Sequence, residues 1–197
     1  MSTFVIEDGT GSGFRARVSD EKRLLVSAQI QDVAVVRSLG GNAFGINTGD
    51  ITLTTASPSA VFFLKNNEDK PLIFYTIGFA FGSSTGGSGN GRIQLVRNPT
   101  AGTIVSGAQS VEIFENLNFG SANTCEVDAF KGAEGNTFTN GSNSGKTFST
   151  FPVRTTTTTP AIILPRGSSF GAVITPPPGN TSCLLQVFVS FFMGNSI

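Results

Sequence analysis

Histidine and tryptophan are absent from this chain of 197 residues, tyrosine occurs once, at Tyr75, and cysteine twice, at Cys125 and Cys183. Each shortage closes off a class of chemistry. Without histidine there is no Ser-His-Asp or Cys-His relay, and two cysteines alone cannot complete a tetrahedral structural zinc site. No enzyme activity, metal or cofactor is therefore expected. Sugar rings usually stack on Trp or Tyr, whose amphipathic faces suit a half-wet site, so the near absence of both weakens a lectin role. Charge is scarce as well. Only 13% of residues are charged, against about 25% in an average protein. Lys+Arg and Asp+Glu number 13 each and cancel. Nucleic-acid binding needs a basic excess and is disfavoured. No apolar run reaches the roughly 18 residues of a membrane span. The start, Met1 to Asp8, lacks the basic and apolar regions of a secretory signal. Synthesis in a cytosol is the expectation, with both cysteines reduced and buried. A disulfide between them would require neighbouring strands and stays open.

What the chain has in abundance is phenylalanine, with 18, and glycine, with 24. No segment sustains a 3.6-residue period. Strand-like runs bounded by Gly, Pro and Asn recur instead: Phe14 to Val18, Arg23 to Ile30, Asn42 to Asn47, Ile51 to Thr54, Ala60 to Asn66, Leu72 to Phe81, Arg92 to Arg97, Val111 to Phe114, Thr124 to Phe130, Ala161 to Leu164, Ser169 to Thr175 and Leu184 to Met193. This spacing predicts an all-β fold, an antiparallel β-sandwich. The expected layout is a single domain overall, with an N-terminal arm and first strands over residues 1–30 and the sandwich over 31–197. Ser83 to Gly91 reads as a glycine-rich hairpin loop. Phe138 to Pro160 reads as an exposed Gly/Ser/Asn/Thr loop, in which Thr155 to Thr159 can form an edge strand.

Two runs, Leu72 to Phe81 and Val187 to Met193, are apolar in both parities. A half-solvated strand alternates apolar with polar residues, so these two predict a covering layer or a subunit contact. A chain without net charge also has little electrostatic protection against association. A homo-oligomer with phenylalanine between its copies is expected.

The stretch Asp8-Gly9-Thr10-Gly11-Ser12-Gly13-Phe14-Arg15-Ala16-Arg17-Val18 supplies the candidate contact element. Gly9, Gly11 and Gly13 make a bendable strap. Beyond it an extended strand puts Phe14, Ala16 and Val18 on one side and Arg15 and Arg17 on the other. That pattern suits an arm lying on a neighbouring protein, so Gly9, Gly11, Gly13, Phe14, Arg15 and Arg17 are the candidate partner-contact residues. Two other motifs have plainer readings than their first appearance. Gly141-Ser142-Asn143-Ser144-Gly145-Lys146-Thr147 resembles a phosphate-binding loop but is one residue short between its glycines. Glu126 and Asp128 sit at i, i+2 on one strand face, where a solvated acidic face is a plainer reading than glycoside hydrolysis or calcium binding.

The same opening segment followed by Arg23-Leu24 is similar to the N-terminal signature of a family of structural proteins from tailed-bacteriophage virions. Further similar segments are Phe62 to Asp69, Arg97 to Thr103, Asn118 to Ser121, Phe130 to Gly135, Leu164 to Ser169 and Ile174 to Ser182. The resemblance implies a virion protein made in the bacterial host cytoplasm, most like a capsid decoration or cement protein. Its implied partner is the major capsid protein or another virion protein. The alternative is a tail or baseplate module, with receptor binding among the roles such a module can have. The family carries no catalytic residues. With the arm and the phenylalanine content, the expectation becomes a jelly-roll-like trimer around a Phe-lined axis, its arm on the capsid lattice.

Overall fold

Runs of β-branched and aromatic residues broken by Gly, Pro and Asn leave the backbone few alternatives to pairing strand against strand. The computed structural model describes residues 17–18, 24–25, 32–107, 109–150, 155–158 and 162–194. The chain divides into two units, residues 1–32 and 33–197. In the first, the strands β1 (Arg17–Val18) and β2 (Leu24–Leu25) pair antiparallel, Arg17 opposite Leu25 and Val18 opposite Leu24.

The second unit holds α1 (Val33–Leu39), β3 (Ala43–Asn47), β4 (Ile51–Leu53), β5 (Ser59–Asn66), β6 (Leu72–Gly86), β7 (Asn90–Arg97), α2 (Thr103–Gly107), β8 (Gln109–Ser110) and β9 (Ile113–Asn116). It continues with β10 (Val127–Lys131), β11 (Ser142–Thr150), β12 (Thr155–Thr158), β13 (Ile162–Leu164), β14 (Ser169–Thr175) and β15 (Asn180–Met193). A six-stranded sheet runs β11-β7-β14-β5-β10-β8. A seven-stranded sheet runs β12-β6-β15-β3-β9, with β13 also pairing β6 and β4 pairing β15. Every pairing is antiparallel. The two sheets pack face to face, and the chain is an all-β antiparallel sandwich.

The core between them is threaded by one chain of rings. Phe114 meets Phe44 at 6.1 Å, Phe44 meets Phe191 at 5.9 Å, and Phe191 meets Phe74 at 5.6 Å, all from the seven-stranded sheet. Phe74 then reaches Phe170 of the other sheet at 5.7 Å, and Phe170 meets Phe62 at 6.3 Å. Ring pairs at these separations add about 0.5–1.5 kcal/mol each beyond the area they bury.

The runs that are apolar in both parities have a local cause. Along β6 the pairing with β15 steps from Thr76 opposite Ser190 to Phe74 opposite Phe191, which leaves Tyr75 as an extra residue. Such a bulge reverses the inward parity. Leu72 and Phe74 face the core before it, and Ile77, Phe79 and Phe81 after it; all five are buried. β5 does the same at Val61, which is skipped between the pairs Ala172–Phe62 and Val173–Ala60. On β15, Val187, Val189, Phe191 and Met193 point inward. Its outward Phe188 lies against Gly78, where a Cβ would stand 2.0 Å from the ring, and its Phe192 stacks on Tyr75 at 6.1 Å with Arg37 above it. Much of the cover expected from a second subunit thus comes from within the chain.

Three further readings change. Ser83 to Gly91 is mostly strand, since β6 runs to Gly86 and β7 begins at Asn90. Only Gly87 to Gly89 turn, and Gly87 and Gly89 have φ of 77° and 94°, a region that favours glycine. Phe138 to Pro160 is not a plain loop either. β11, which was not foreseen, pairs with β7 from Ser142 opposite Arg97 to Thr150 opposite Asn90, while β12, pairing with β6, is the edge strand that the Thr155 to Thr159 run allowed. Both add a strand to a sheet edge, where backbone N–H and C=O groups need partners whatever the side chains are. Finally, two short helices, α1 and α2, were not foreseen.

Candidate functional site

Gly9, Gly11, Gly13, Phe14 and Arg15 lie outside the described residues, and Arg17 is described only as backbone, in β1. The phosphate-loop lookalike is resolved against. Ser142 to Thr150 form strand β11, bulged between Asn143 and Gly145. A phosphate cradle needs a loop feeding a helix N-terminus, and none follows here among the described residues.

The acidic pair divides. Glu126 precedes β10 and its N–H donates to Glu68 Oε1 at 2.6 Å. Asp128 stands on β10 directly opposite Lys65 of β5. Beside them, burial chiefly, and then the charges of Glu68 and Glu126, push the Cys125 thiol up to about 12. Burial pushes Cys183 up to about 11. Both cysteines are free and buried, and neither offers a thiolate nucleophile near neutral pH. Glu134 is held below the usual carboxylate range by hydrogen bonds from Thr54 and then Thr55. It accepts from the Thr54 hydroxyl at 2.6 Å and from the Thr55 N–H at 2.6 Å, tying the loop after β4 to the loop after β10. Among the described residues no three His, Cys, Asp or Glu side chains gather closely enough to hold a metal.

Two surfaces remain. The first is α1, whose two faces are reversed. Its partly covered side carries Ala34, Arg37 and Ser38, with the Arg37 guanidinium 6.0 Å from the Phe192 ring. Its outward side carries Val33, Val35, Val36 and Leu39, exposed by 58%, 54%, 44% and 71%. A helix on a solvated surface normally points such residues inward. The geometry is held at the C-terminal end, where Gly41 at φ 67° and Asn42 turn back to donate to the Ser38 and Arg37 carbonyls. The loop after β9 adds to the face, as Asn118 Nδ2 donates to the Leu39 carbonyl at 3.1 Å and brings along Phe119, 85% exposed. The i, i+3 and i, i+4 spacing of Val33, Val36, Val35 and Leu39 was the available sequence signal. At seven residues it is too short to stand out.

The second is a cleft of about 280 Å³ on the outer side of the six-stranded sheet, beside α2. Its floor is Phe63 and Phe130, parallel to within 8° with centroids 5.9 Å apart. Lys65 and Asp128 stand on the same sheet face two register positions along, with Thr100 and Val105 on the walls. Asp128 is the only carboxylate among the lining residues, so the structure brings no acid pair together here.

Segments far apart in sequence meet at this end of the sandwich. Gly167 N–H donates to the Asn66 carbonyl at 2.8 Å, Asn98 N–H to the Ser169 carbonyl at 2.8 Å, and the Ser169 hydroxyl to the Pro99 carbonyl at 2.5 Å. Arg166, between β13 and β14, and Asp69, between β5 and β6, form an ion pair at the same end. A larger hollow of about 380 Å³ lies nearby, between Arg97 and Ile162 to Pro165; its lining is mostly apolar and Arg97 is its one charged group. No protein-family model matches the chain, and no curated protein sequence matches it.

Proposed function

We propose that this chain is a structural component of a phage virion that binds and stabilises the capsid shell as a decoration or cement protein. The observation that carries the reading is the outward apolar side of α1 with Phe119 beside it, a surface suited to a partner rather than to water. The strand order supports a jelly-roll reading of the sandwich. β3, β6, β12 and β15 fall in one sheet in the order β12-β6-β15-β3, and β5, β7, β11 and β14 in the other in the order β11-β7-β14-β5. Adjacency in each sheet thus pairs early strands with late ones, as two Greek keys do. The sequence segments similar to virion proteins include those that meet at the cleft end: Phe62 to Asp69, Arg97 to Thr103, Phe130 to Gly135 and Leu164 to Ser169.

Assembly as a homo-oligomer, with a trimer favoured, belongs to the same reading, and so does docking of the arm through Phe14, Arg15 and Arg17 on the major capsid protein. The test is an image of the virion with the protein located in it. Hundreds of copies on the shell are expected, and a handful at a vertex or tail tip would favour a tail or baseplate module instead. Removal of residues 1–18 should leave a folded protein that no longer binds capsids. Undiminished binding by that truncation would remove the arm from the reading.

A further inference from the structure

We propose that the cleft over Phe63 and Phe130 binds a neutral sugar ring, one residue of a glycan. The inference goes beyond a role in the shell and stands or falls separately from it. Two charged side chains in the cleft have no partner among the described residues. Lys65 and Asp128 are half-buried and opposite each other in register, yet neither side chain makes a hydrogen bond or an ion pair among the described residues. Half-burial without pairing withholds solvation from both groups and leaves an ammonium with three donors beside an acceptor-only carboxylate. Their charges cancel, so the cleft favours a ligand without net charge that both donates and accepts.

The floor narrows the class. Phe130 is half-buried, and it turns toward the cleft above Phe63, which is fully covered at 2% exposure. An aromatic face of this kind suits a flat ring with aliphatic C–H groups on one side. Thr100 adds a donor at the rim. Its Oγ1 already accepts from Asn140 Nδ2 at 2.6 Å, which leaves its own proton for a ligand. A C–H face below and alternating hydroxyls at the edge describe a pyranose. The volume of about 280 Å³ is near the lower bound of about 300 Å³ for small-molecule sites, which suits one ring and not a nucleotide. The scarcity of Trp and Tyr spoke against sugar binding from composition alone; here the fold leaves a phenylalanine half-open instead.

The test titrates the full chain with the methyl glycosides of glucose, galactose, mannose and N-acetylglucosamine, followed by NMR shifts of backbone amides. Millimolar binding of at least one glycoside is expected, with shifts clustered at Lys65, Thr100, Asp128 and Phe130. The variants Asp128→Asn and Lys65→Gln should each weaken it about tenfold or more, the factor carried by one charge-assisted hydrogen bond. Because neither side chain is bonded among the described residues, thermal midpoints should stay unchanged. No binding by any of the four, shifts elsewhere on the surface, or unaltered affinity in Asp128→Asn would overturn the proposal. So would preferential binding of free glycine or alanine tested alongside, which would make the Lys65–Asp128 pair a zwitterion site.

Discussion

Replacing Phe74 by alanine probes the ring chain at the point where it crosses from one sheet to the other. Phe74 is 2% exposed and touches Phe191 at 5.6 Å and Phe170 at 5.7 Å. Truncating a buried phenylalanine costs about 3–5 kcal/mol, and the upper part of that range applies where the cavity cannot collapse. Here both neighbours are themselves held by further rings, Phe191 by Phe44 and Phe170 by Phe62. A loss of about 4 kcal/mol is expected, out of a total of roughly 5–15. In a domain of this size that lowers the melting midpoint by about 8–16 °C. Urea unfolding followed by far-UV circular dichroism is the assay, because the chain has no tryptophan to report by fluorescence. The midpoint should fall by about 2 M with an unchanged slope. Phe119→Ala removes the same atoms from a ring that is 85% exposed and should stay within about 0.5 kcal/mol of the parent. Equal costs at the two positions, or a loss below about 1.5 kcal/mol at Phe74, would refute the ring chain as the sandwich's central support.

Gly132→Ala should be strongly destabilising in the same melts, because a Cβ there would stand 1.9 Å from the Ala60 carbonyl oxygen, a backbone atom that cannot swing aside. Deleting Thr76 should leave a folded protein, since it removes the bulge yet keeps Leu72, Phe74 and Ile77 on one face; deleting Ala80 should unfold it by turning Phe79 and Phe81 onto opposite faces. The folded thiols titrate near 12 and 11, above their unfolded value of 9.0. From about pH 9 upward the unfolded state therefore loses protons that the folded state keeps, and stability falls. Substituting both cysteines by alanine should flatten that alkaline slope in urea midpoints measured at pH 8 and pH 10.5. Leu39→Asp combined with Phe119→Asp should leave the melting midpoint within a few degrees while abolishing capsid binding in a co-sedimentation assay. Binding equal to the parent's would show that the α1 surface is not the contact.

The all-β class was legible because it rests on local signals, namely β-branched and aromatic runs separated by turn residues. Most strand positions were close for the same reason, and Ala60 to Asn66, Arg92 to Arg97 and Ser169 to Thr175 match β5, β7 and β14 within one or two residues. The bulges at Tyr75 and Val61 were not legible. In a list of residues, a strand whose parity reverses midway looks the same as a strand buried on both faces. For that reason Leu72 to Phe81 reads as buried on both faces, although in β6 the bulge at Tyr75 accounts for its mixed parity.

The cleft was hidden for a related reason. Asp128 stood out beside Glu126, its neighbour at i, i+2, but its actual companions come from three other segments. Lys65 is opposite it only because β10 and β5 pair in one particular register, and Phe130 is half-open only because α2 covers part of that sheet face and not all of it. Thr100 arrives through the loop between β7 and α2. Composition and periodicity determined that this chain pairs strands, packs phenylalanine and lacks imidazole chemistry, because each of those is a property of residue type and short-range order. Which side chains share a face, which charges go unpaired and which helix points its valines outward were decided by the tertiary structure, because they depend on register and on contacts between residues tens of positions apart.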